Sequence, residues 1–411
     1  MRIKKCRICD SSISTILSLG KFPAVNYYLT LEELSKKEKK YTLNFCICGN
    51  CGLGQLDEMV KAGKLFSTYH YISSTSLPLK KHLESLADVC IKRFNLTGDS
   101  KVLDIGCNDG TLLSYLKKLG MQTLGIDPAK NILEEAKKMG IKVLTAFFNG
   151  KMSKEVLNKE GQFDVIIATN TLAQVIDLND FVKGIKHLLR DSGSFVVEVG
   201  YLPEMLRRKT FDSIYHEHYS YFSLMSLKFL FDKNGLEIYD AEEIGNHGGS
   251  LRVFAKHKEN KKLNIVKRVQ ALIQKEKRLK ISEKSTYQKF ANSALEFKKD
   301  FRDLLFDLKN KNATIVGIGA PAKSVILLNF SGINHTVISY ITDSTPYKQN
   351  RFMPGVHIPI MPESKLIEDK SIDYFVLLAW TYRDEIIKKI RSLKRPDVKI
   401  ITPFPNLEII T

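Results

Sequence analysis

One stretch, residues 101–127, constrains the fold of this chain more than any other. It reads KVLDIGCNDGTLLSYLKKLGMQTLGID: an apolar run leads into Gly106 and Gly110, then into leucines at helical spacing, and a second apolar run ends at Asp127. This order of strand, glycine-rich turn, helix and strand, with an acid about 20 residues after the glycines, is typical of nucleoside-binding α/β units. The stretch therefore predicts one such unit.

The residues within the turn indicate which ligand this unit binds. Asp104 precedes Gly106, and Asn108 and Asp109 lie between the two glycines. Dinucleotide folds hold a pyrophosphate at a GxGxxG turn, whereas carboxylates repel a pyrophosphate and favour a ligand with positive charge. The turn resembles motif I of class I S-adenosylmethionine (SAM) methyltransferases, whose ligand carries a sulfonium and an ammonium group. An ordinary βαβ unit with a tight turn is the alternative.

The pattern after the turn predicts the rest of this domain. Apolar runs at 142–145, 163–168 and 194–199 alternate with helical patterns, which predicts a doubly wound, mostly parallel sheet with ligands at the carboxyl ends of its strands. Asp127 is expected to accept hydrogen bonds from the ribose of SAM. The other residues expected to contact SAM are Asp104, Gly106, Asn108, Asp109, Gly110 and Asn170, the last of which follows a strand end.

Two CxxC pairs near the N-terminus predict a metal site. Cys6 and Cys9 form the first pair, and Cys48 and Cys51 form the second. Four thiolates are the tetrahedral ligand set of structural Zn²⁺ and leave no open position for catalysis. Cys46 lies in an alternating run, so we expect it to be a strand residue rather than a ligand. Free buried cysteines are the alternative.

The net charge of +18 favours an anionic partner, such as a nucleic acid, an anionic surface or a nucleotide substrate. Much of the charge lies in residues 256–311, where lysines alternate with glutamates, and a solvated helix face explains it more simply. No apolar run is long enough to span a membrane, and the basic N-terminus leads straight into Cys6. We therefore expect a cytoplasmic monomer with neither a membrane nor a nucleic acid as partner.

The segment FDSIYHEHYSYFS, residues 211–223, is dense in titratable side chains. Its carboxylate, histidines and tyrosines together supply a base, an orienting group and oxyanion donors, which favours proton-transfer chemistry; they are Tyr215, His216, Glu217, His218, Tyr219 and Tyr221. No HExxH spacing accompanies the histidines, so a catalytic metal is the less favoured interpretation. Tyr69 lies in an earlier stretch rich in tyrosine and serine, and it is either a site residue or a packing aromatic.

The last part of the chain predicts a second α/β unit. A strand runs from Thr314 through glycines into a helix, and a second strand over 337–341 leads to Asp343. Lys323 replaces an acid in this turn, which favours a phosphate. The predicted parts are a four-cysteine zinc module (1–60), a SAM-binding domain (61–257), a helical connector (258–310) and a Rossmann-like domain (311–411).

The ordered motifs together resemble those of the sugar-nucleotide C-methyltransferases, which place a methyl group on C3 of nucleotide-linked 4-keto-deoxyhexoses. The resemblance covers essentially the whole chain. Besides the four cysteines and the turn, it rests on YHEH at 215–218, HGGSLR at 247–252, GAPAK at 319–323 and KQNRFMPGVHIP at 348–359. The glycines of the second motif are otherwise either a hairpin turn or a point of close backbone approach to a ligand.

The resemblance implies a role for each candidate residue. His218 is expected to remove the proton next to the keto group, and Glu217 to orient His218 or relay the proton. Tyr215 is expected to hydrogen-bond the sugar or its enolate oxygen, with Tyr69 approaching from the N-terminal side. The residues expected to bind substrate are Gln174, His247, Gly249, Ser250, Lys323 and Arg351, and the domain 311–411 is expected to hold the sugar nucleotide.

Two positions depart from the family pattern. Gln174 stands where the family usually has a histidine, and Gly200 replaces the proline that usually follows the strand ending near Glu198. Glutamine forms hydrogen bonds but transfers no proton at neutral pH. An O- or N-methyltransferase acting on an activated sugar is therefore the alternative, and a zinc-containing RNA methyltransferase is less favoured.

Overall fold

The computed structural model describes residues 2–60, 63, 72–392 and 398–410, without the side chain of His247. The predictions made for Tyr69 and for the side chain of His247 therefore lie outside the described residues. The described strands form one four-stranded sheet and two seven-stranded sheets.

In chain order the described strands are β1 Ile13–Pro23, β2 Lys40–Cys48, β3 Gly54–Leu56, β4 Lys101–Ile105, β5 Gln122–Asp127, β6 Lys142–Thr145, β7 Phe163–Thr169, β8 Leu189–Gly200, β9 Ser220–Tyr221, β10 Leu236–Ile244, β11 Ser250–His257, β12 Ile315–Ile318, β13 Ile341–Thr342, β14 Arg351–Phe352, β15 Pro359–Met361, β16 Tyr374–Leu377, β17 Lys399–Thr402 and β18 Glu408–Ile410. The described helices are α1 Leu77–Phe94, α2 Thr111–Lys118, α3 Lys130–Lys138, α4 Gly150–Glu160, α5 Leu178–Leu188, α6 Leu202–Arg207, α7 Leu224–Lys233, α8 Lys267–Arg278, α9 Lys284–Asn310, α10 Ala322–Ser331, α11 Lys365–Glu368 and α12 Arg383–Ser392.

The N-terminal sheet has the order β1-β2-β3-β9, and every neighbouring pair is antiparallel. Its fourth strand, β9, comes from the segment 211–223, which the sequence assigned to the SAM-binding domain. Gly54 pairs with Tyr221 and Gln55 pairs with Ser220. A side chain at Gly54 would lie 2.9 Å from the ring of Phe45, so the close packing at this edge requires glycine.

The central sheet has the order β10-β11-β8-β7-β4-β5-β6. The five neighbouring strands β8, β7, β4, β5 and β6 are parallel to one another. At the β8 edge, β11 pairs antiparallel with β8, and β10 pairs antiparallel with β11. The predicted doubly wound sheet is confirmed. The strand order reverses between β4 and β7, and such a switch point is where open α/β sheets bind their ligands.

The glycine-rich stretch folds as its pattern predicts. Gly110 adopts the left-handed region with φ +75° and leads into α2, which buries Leu112, Leu113 and Leu116. Full burial of each leucine contributes on the order of 2 kcal/mol of transfer free energy. This apolar face holds α2 on the sheet and fixes where the turn before it lies.

The C-terminal sheet has the order β14-β15-β13-β12-β16-β17-β18, with a parallel centre and one antiparallel strand at each edge. The strand predicted over 337–341 is wrong in extent, because β13 covers only Ile341–Thr342. Val337 and Ile338 are buried, but their amides donate to Asn334 O in a turn. Their apolar character reflects core packing rather than strand pairing.

The predicted helical connector consists of two helices, α8 and α9. The prediction of a solvated face is wrong for Glu276, which is fully buried. Its carboxylate accepts hydrogen bonds from Tyr201 OH at 2.8 Å and from the amides of Leu224 and Met225 at 2.6 and 3.0 Å. Among the described residues, no helix is both long and apolar enough to cross a bilayer.

Candidate functional site

A cavity of about 1080 Å³ lies where the three sheets approach one another. The carboxyl ends of β4, β5 and β7 supply one wall, and those of β12, β13 and β16 supply another. Asn26 and Tyr28, from the segment after β1, line it as well. The cavity therefore joins the predicted SAM site to the second α/β unit.

The turn after β4 has no room for a side chain at Gly106. This glycine has φ +77°, and a Cβ there would lie 2.0 Å from Thr171 Oγ1. Thr171 follows β7, and its Oγ1 donates to Ile105 O at the end of β4 at 3.0 Å. The segments that follow β4 and β7 are therefore in contact. The wall at this point is bare backbone, which allows a ligand to approach closely.

The carboxyl groups of Asp104 and Asp127 give this wall its charge. Asp104 is buried, its Oδ1 has no hydrogen-bond partner among the described residues, and burial together with Asp127 raises its pKa to about 8. Burial also raises the pKa of Asp127, whose oxygens accept from the amides of Ala129 at 2.9 Å and Asn108 at 3.1 Å. An unsatisfied buried carboxyl group beside a backbone cradle fits a cationic nucleoside such as SAM.

Only some of the other residues predicted to contact SAM line the cavity. Asn108 and Asn170 line the cavity, whereas Asp109 and Gly110 do not. Asp109 accepts from Thr111 Oγ1 at 2.6 Å and from Ser74 N at 2.8 Å, so its carboxylate fixes the turn and the neighbouring segment. The predicted SAM contacts of Asp109 and Gly110 stay predictions.

Tyr215, Glu217 and His218 all line the cavity. His218 N donates to Tyr215 O at 3.0 Å, and this turn places the two side chains together. Tyr215 OH and His218 Nε2 share a hydrogen bond of 2.8 Å, and the two ring centroids are 4.2 Å apart. Asn26 Nδ2 donates to Glu217 Oε1 at 2.7 Å. An imidazole, a phenol hydroxyl and a carboxylate thus face one cavity.

The neighbouring histidine, His216, lies apart from this group. It is buried against the N-terminal sheet, where its Nε2 and Tyr41 O are 3.3 Å apart. Burial lowers the pKa of His216 to about 4, so the ring is neutral at physiological pH. The two histidines of the HEH motif therefore have different surroundings.

Only some of the residues predicted to bind substrate line the cavity. Gln174, Gly249 and Lys323 line the cavity. Ser250 is buried and donates to Asn246 O at 3.0 Å, and Arg351 donates to Tyr28 O at 3.2 Å. These two residues do not line the described cavity, and their predicted roles stay predictions.

The wall formed by the second α/β unit is rich in lysine. Lys323 Nζ lies 4.6 Å from the ring centroid of Trp380, whose Nε1 donates to Asp212 Oδ2 at 2.6 Å. Burial raises the pKa of Asp212 to about 6, an effect that the charge of Lys323 opposes. Burial lowers the pKa of Lys323. An anion at this wall would favour the protonated, positively charged form of Lys323.

Asp343, at the end of the second strand of this unit, is already satisfied. It accepts from Ala320 N at 2.7 Å and Thr345 N at 2.8 Å, and Lys348 Nζ lies 3.3 Å away. Although burial opposes the change, Lys348 and these amides hold the pKa of Asp343 below its usual value. Asp343 is therefore ionised, and its negative charge is paired with the positive charge of Lys348.

Sequence reasoning missed Asn26, Tyr28 and Trp380 as cavity residues. Asn26 and Tyr28 follow a strand far from every catalytic motif, and no local pattern marks them. Trp380 is the single tryptophan of the chain and follows a buried strand of the second unit. That position at a strand end was a usable signal.

The four predicted cysteine ligands converge at the N-terminal sheet. The Sγ atoms of Cys6, Cys9, Cys48 and Cys51 all lie within 4.8 Å of one another, and no disulfide joins them. The Sγ atoms of Cys6 and Cys51 are 3.4 Å apart, and those of Cys9 and Cys48 are 3.5 Å apart. A tetrahedral zinc ion with Zn–S bonds of about 2.3 Å fits such a cluster. Cys46 lies on strand β2, as predicted, and its Sγ is 3.5 Å from Thr15 Oγ1.

Comparison with known proteins covers the whole chain. Three family models match: a "Putative zinc binding domain" at residues 6–66, a methyltransferase domain at 79–241 and a C-methyltransferase C-terminal domain at 245–405. The C-methyltransferase NovU of Streptomyces niveus is 31% identical over 410 residues, which are 100% of this chain and 97% of that protein.

Other similar proteins match only part of the chain. A ubiquinone biosynthesis O-methyltransferase of Bradyrhizobium diazoefficiens is 31% identical over 26% of this chain and 42% of its own length. The PH0226 protein of Pyrococcus horikoshii, a solved structure, matches 49% of this chain and 100% of its own at 16% identity, with a TM-score of 0.38. The full-length similarity and the matched domains together show that this chain belongs to the C-methyltransferase family, as a SAM-dependent enzyme with a zinc-binding N-terminal module.

Proposed function

We propose that this enzyme methylates a carbon, C3, of a nucleotide-linked 4-keto-deoxysugar through an enolate, in the biosynthesis of deoxysugars or glycans. The observation that carries the proposal is the hydrogen-bonded pair of Tyr215 and His218 in the same cavity as the SAM turn. A carbon next to a ketone is a poor nucleophile until a positioned base removes its proton. O- and N-methylation of a sugar do not require removal of a proton from carbon.

The side chains around the cavity suit this proton transfer. His218 removes the proton next to the keto group, and the Tyr215 hydroxyl donates to the oxygen on which the negative charge develops. Glu217 orients His218 or accepts the proton in turn. Each group lines the cavity, so a substrate placed there reaches all three. SAM, when bound, supplies an electrophilic methyl group.

The second wall of the cavity supports a nucleotide-linked substrate. The diphosphate of such a sugar carries negative charge, and Lys323 and Lys348 both line this wall. We therefore assign the nucleotide to the domain 311–411 and the SAM site to the domain 61–257, with 1–60 as zinc module and 258–310 as connector.

Product analysis tests the proposal. The enzyme is incubated with methyl-labelled SAM and a panel of nucleotide-linked 4-keto-deoxysugars, and the product is examined by carbon NMR. A methyl group bonded to a ring carbon is the expected result. A methyl group on oxygen or nitrogen would contradict the enolate mechanism.

Gln174 favours a second candidate function, an O- or N-methyltransferase on a similar activated sugar. It lines the cavity but transfers no proton, and the family usually has a histidine there. The same NMR experiment distinguishes the two functions. A Gln174→His variant adds a test, since gain of C-methylation by that variant alone would assign the native chain to the second function.

A further inference from the structure

The segment that follows β1 carries Asn26 into the cavity from the zinc-binding module. Its neighbours are anchored: Val25 is fully buried, and Tyr28 OH donates to Ala320 O at 2.6 Å. Asn26 Nδ2 donates to Glu217 Oε1 at 2.7 Å. Because residues on both sides of Asn26 are held, its amide has little freedom to leave the carboxylate.

The same module also holds the backbone just after His218. Leu56 N donates to Tyr219 O at 3.0 Å, which continues the pairing of β3 with β9. The hydroxyl of Tyr219 donates to Val60 O at 2.7 Å, and the guanidinium of Arg7 lies 5.0 Å from the Tyr219 ring centroid. The zinc-binding module therefore holds the segment 211–223 at two places: Asn26 bonds to Glu217, and residues 56 and 60 bond to Tyr219.

The hydrogen bond from Asn26 acts on a buried carboxyl group. Glu217 is buried, and a donor to a carboxylate oxygen favours the ionised form. Among the described residues, Tyr28 and Tyr219 are titratable groups that face Glu217, and His216 and His218 lie beside it in the chain. Burial raises the pKa of Tyr28 above its usual value and that of Tyr219 to about 12, so both hydroxyls are neutral near pH 7.

We propose that Asn26 is a positioning residue, whose side-chain amide holds Glu217 as an oriented carboxylate next to His218. The inference rests on the proposed function, because it gives Glu217 a part in proton transfer. It adds that the zinc-binding module takes part in the reaction through a specific contact.

An Asn26→Asp variant tests this contact directly. The substitution keeps the shape of the side chain but replaces the donor with a second carboxyl group, which raises the pKa of Glu217. The readout is the pH profile of hydrogen–deuterium exchange next to the keto group of thymidine diphosphate 4-keto-6-deoxyglucose, with S-adenosylhomocysteine in place of SAM. The acidic limb is expected to move up by about one pH unit or more.

Two further variants keep the result interpretable. Asn26→Ala removes the donor without adding a charge and is expected to slow the exchange about tenfold at pH 7. Tyr27→Phe is the matched control, because Tyr27 is the next residue, its side chain is exposed, and its hydroxyl donates to Glu33 on the surface. Its profile is expected to match that of the native enzyme. Zinc content and SAM affinity confirm that each variant is folded.

The outcomes separate the inference from the proposed function. A native pH profile and rate in both folded Asn26 variants would overturn the role of Asn26 alone. Absence of exchange in the native enzyme, on a sugar that it methylates when SAM is supplied, would overturn the proposed function, and the role of Asn26 with it. A displaced profile in Asn26→Asp together with a native profile in Tyr27→Phe would establish the contact as functional.

Discussion

The two α/β units of this enzyme share a backbone design and differ in charge. In each unit a glycine in the left-handed region follows the first strand: Gly106 has φ +77° and Gly319 has φ +83°. A Cβ at Gly106 would meet Thr171, and one at Gly319 would lie 2.4 Å from the Cβ of Ala379. Thr171 and Ala379 both follow the strand next to that first strand, so the two turns are built alike.

The side chains at the two turns favour opposite ligands. In the first unit, burial and the nearby carboxyl group of Asp127 both disfavour ionisation of Asp104. The second unit pairs its acid, Asp343, with Lys348 and adds Lys323 to the wall. The comparison teaches that the backbone determines where a ligand lies, whereas a few charged side chains determine which ligand it is.

Replacing His218, the proposed general base, has the largest expected effect. We expect His218→Ala to lower methyl transfer by about 10²- to 10⁴-fold, because general base catalysis contributes about that factor. SAM and substrate affinities are expected to stay within about twofold of the native values, since neither turn changes. Isothermal titration and single-turnover kinetics measure the two quantities. His187→Ala, an exposed histidine outside the cavity, is the control. Loss of binding equal to the loss of rate would contradict the assignment.

Asp104→Asn tests the charge of the first unit. The substitution keeps the size of the side chain and removes a carboxyl group that is mostly protonated in the ligand-free protein at pH 7 and that a bound cation would hold ionised. We expect the Kd of SAM to rise about thirtyfold, as for the loss of one charge interaction in a buried site. The KM of the sugar nucleotide should not change. An unchanged Kd of SAM in the folded variant would show that Asp104 is not part of the SAM site.

Lys323→Gln is the corresponding test of the second unit. We expect the KM of the nucleotide sugar to rise about tenfold, because a charge-assisted contact to a phosphate is lost. The Kd of SAM should stay at its native value, so each variant is the control for the other. If Lys323→Gln weakened SAM binding instead, the division of ligands between the units would be wrong.

The pH dependence of SAM binding gives the smallest expected effect. Burial raises the pKa of Asp104 to about 8, so most of the ligand-free protein carries it protonated at pH 7. A cationic ligand prefers the carboxylate, and the Kd of SAM should therefore fall as the pH rises, by about fivefold between pH 7 and pH 8. Asp104→Asn should lack this dependence. A Kd that rises over this range in the native protein would contradict the sign.

Local patterns in the sequence were enough for most of the fold. The apolar run of β4, the glycines and the leucines of α2 are neighbours in the chain, so their pattern predicts their structure directly. The four cysteines were predictable for a related reason, since their spacing alone matches a tetrahedral ligand set.

Contacts between distant parts of the chain were not predictable in the same way. The strand β9 has two residues and pairs with β3, and a strand that short carries no periodicity. Glu276 lies in a stretch that reads as a charged, solvated helix, yet the amides at the start of α7 and Tyr201 satisfy it in the core. The contact of Asn26 with Glu217 joins two domains and depends on the same long-range packing.

Solvent deuterium exchange in the native enzyme tests the central claim most directly. The enzyme is incubated in deuterium oxide with a nucleotide-linked 4-keto-deoxysugar and S-adenosylhomocysteine, and the sugar is examined by proton NMR. We predict loss of the proton signal at the carbon next to the keto group in the native enzyme and its retention in His218→Ala. Retention of that proton in the native enzyme, on a sugar that it methylates when SAM is supplied, would contradict an enolate mechanism.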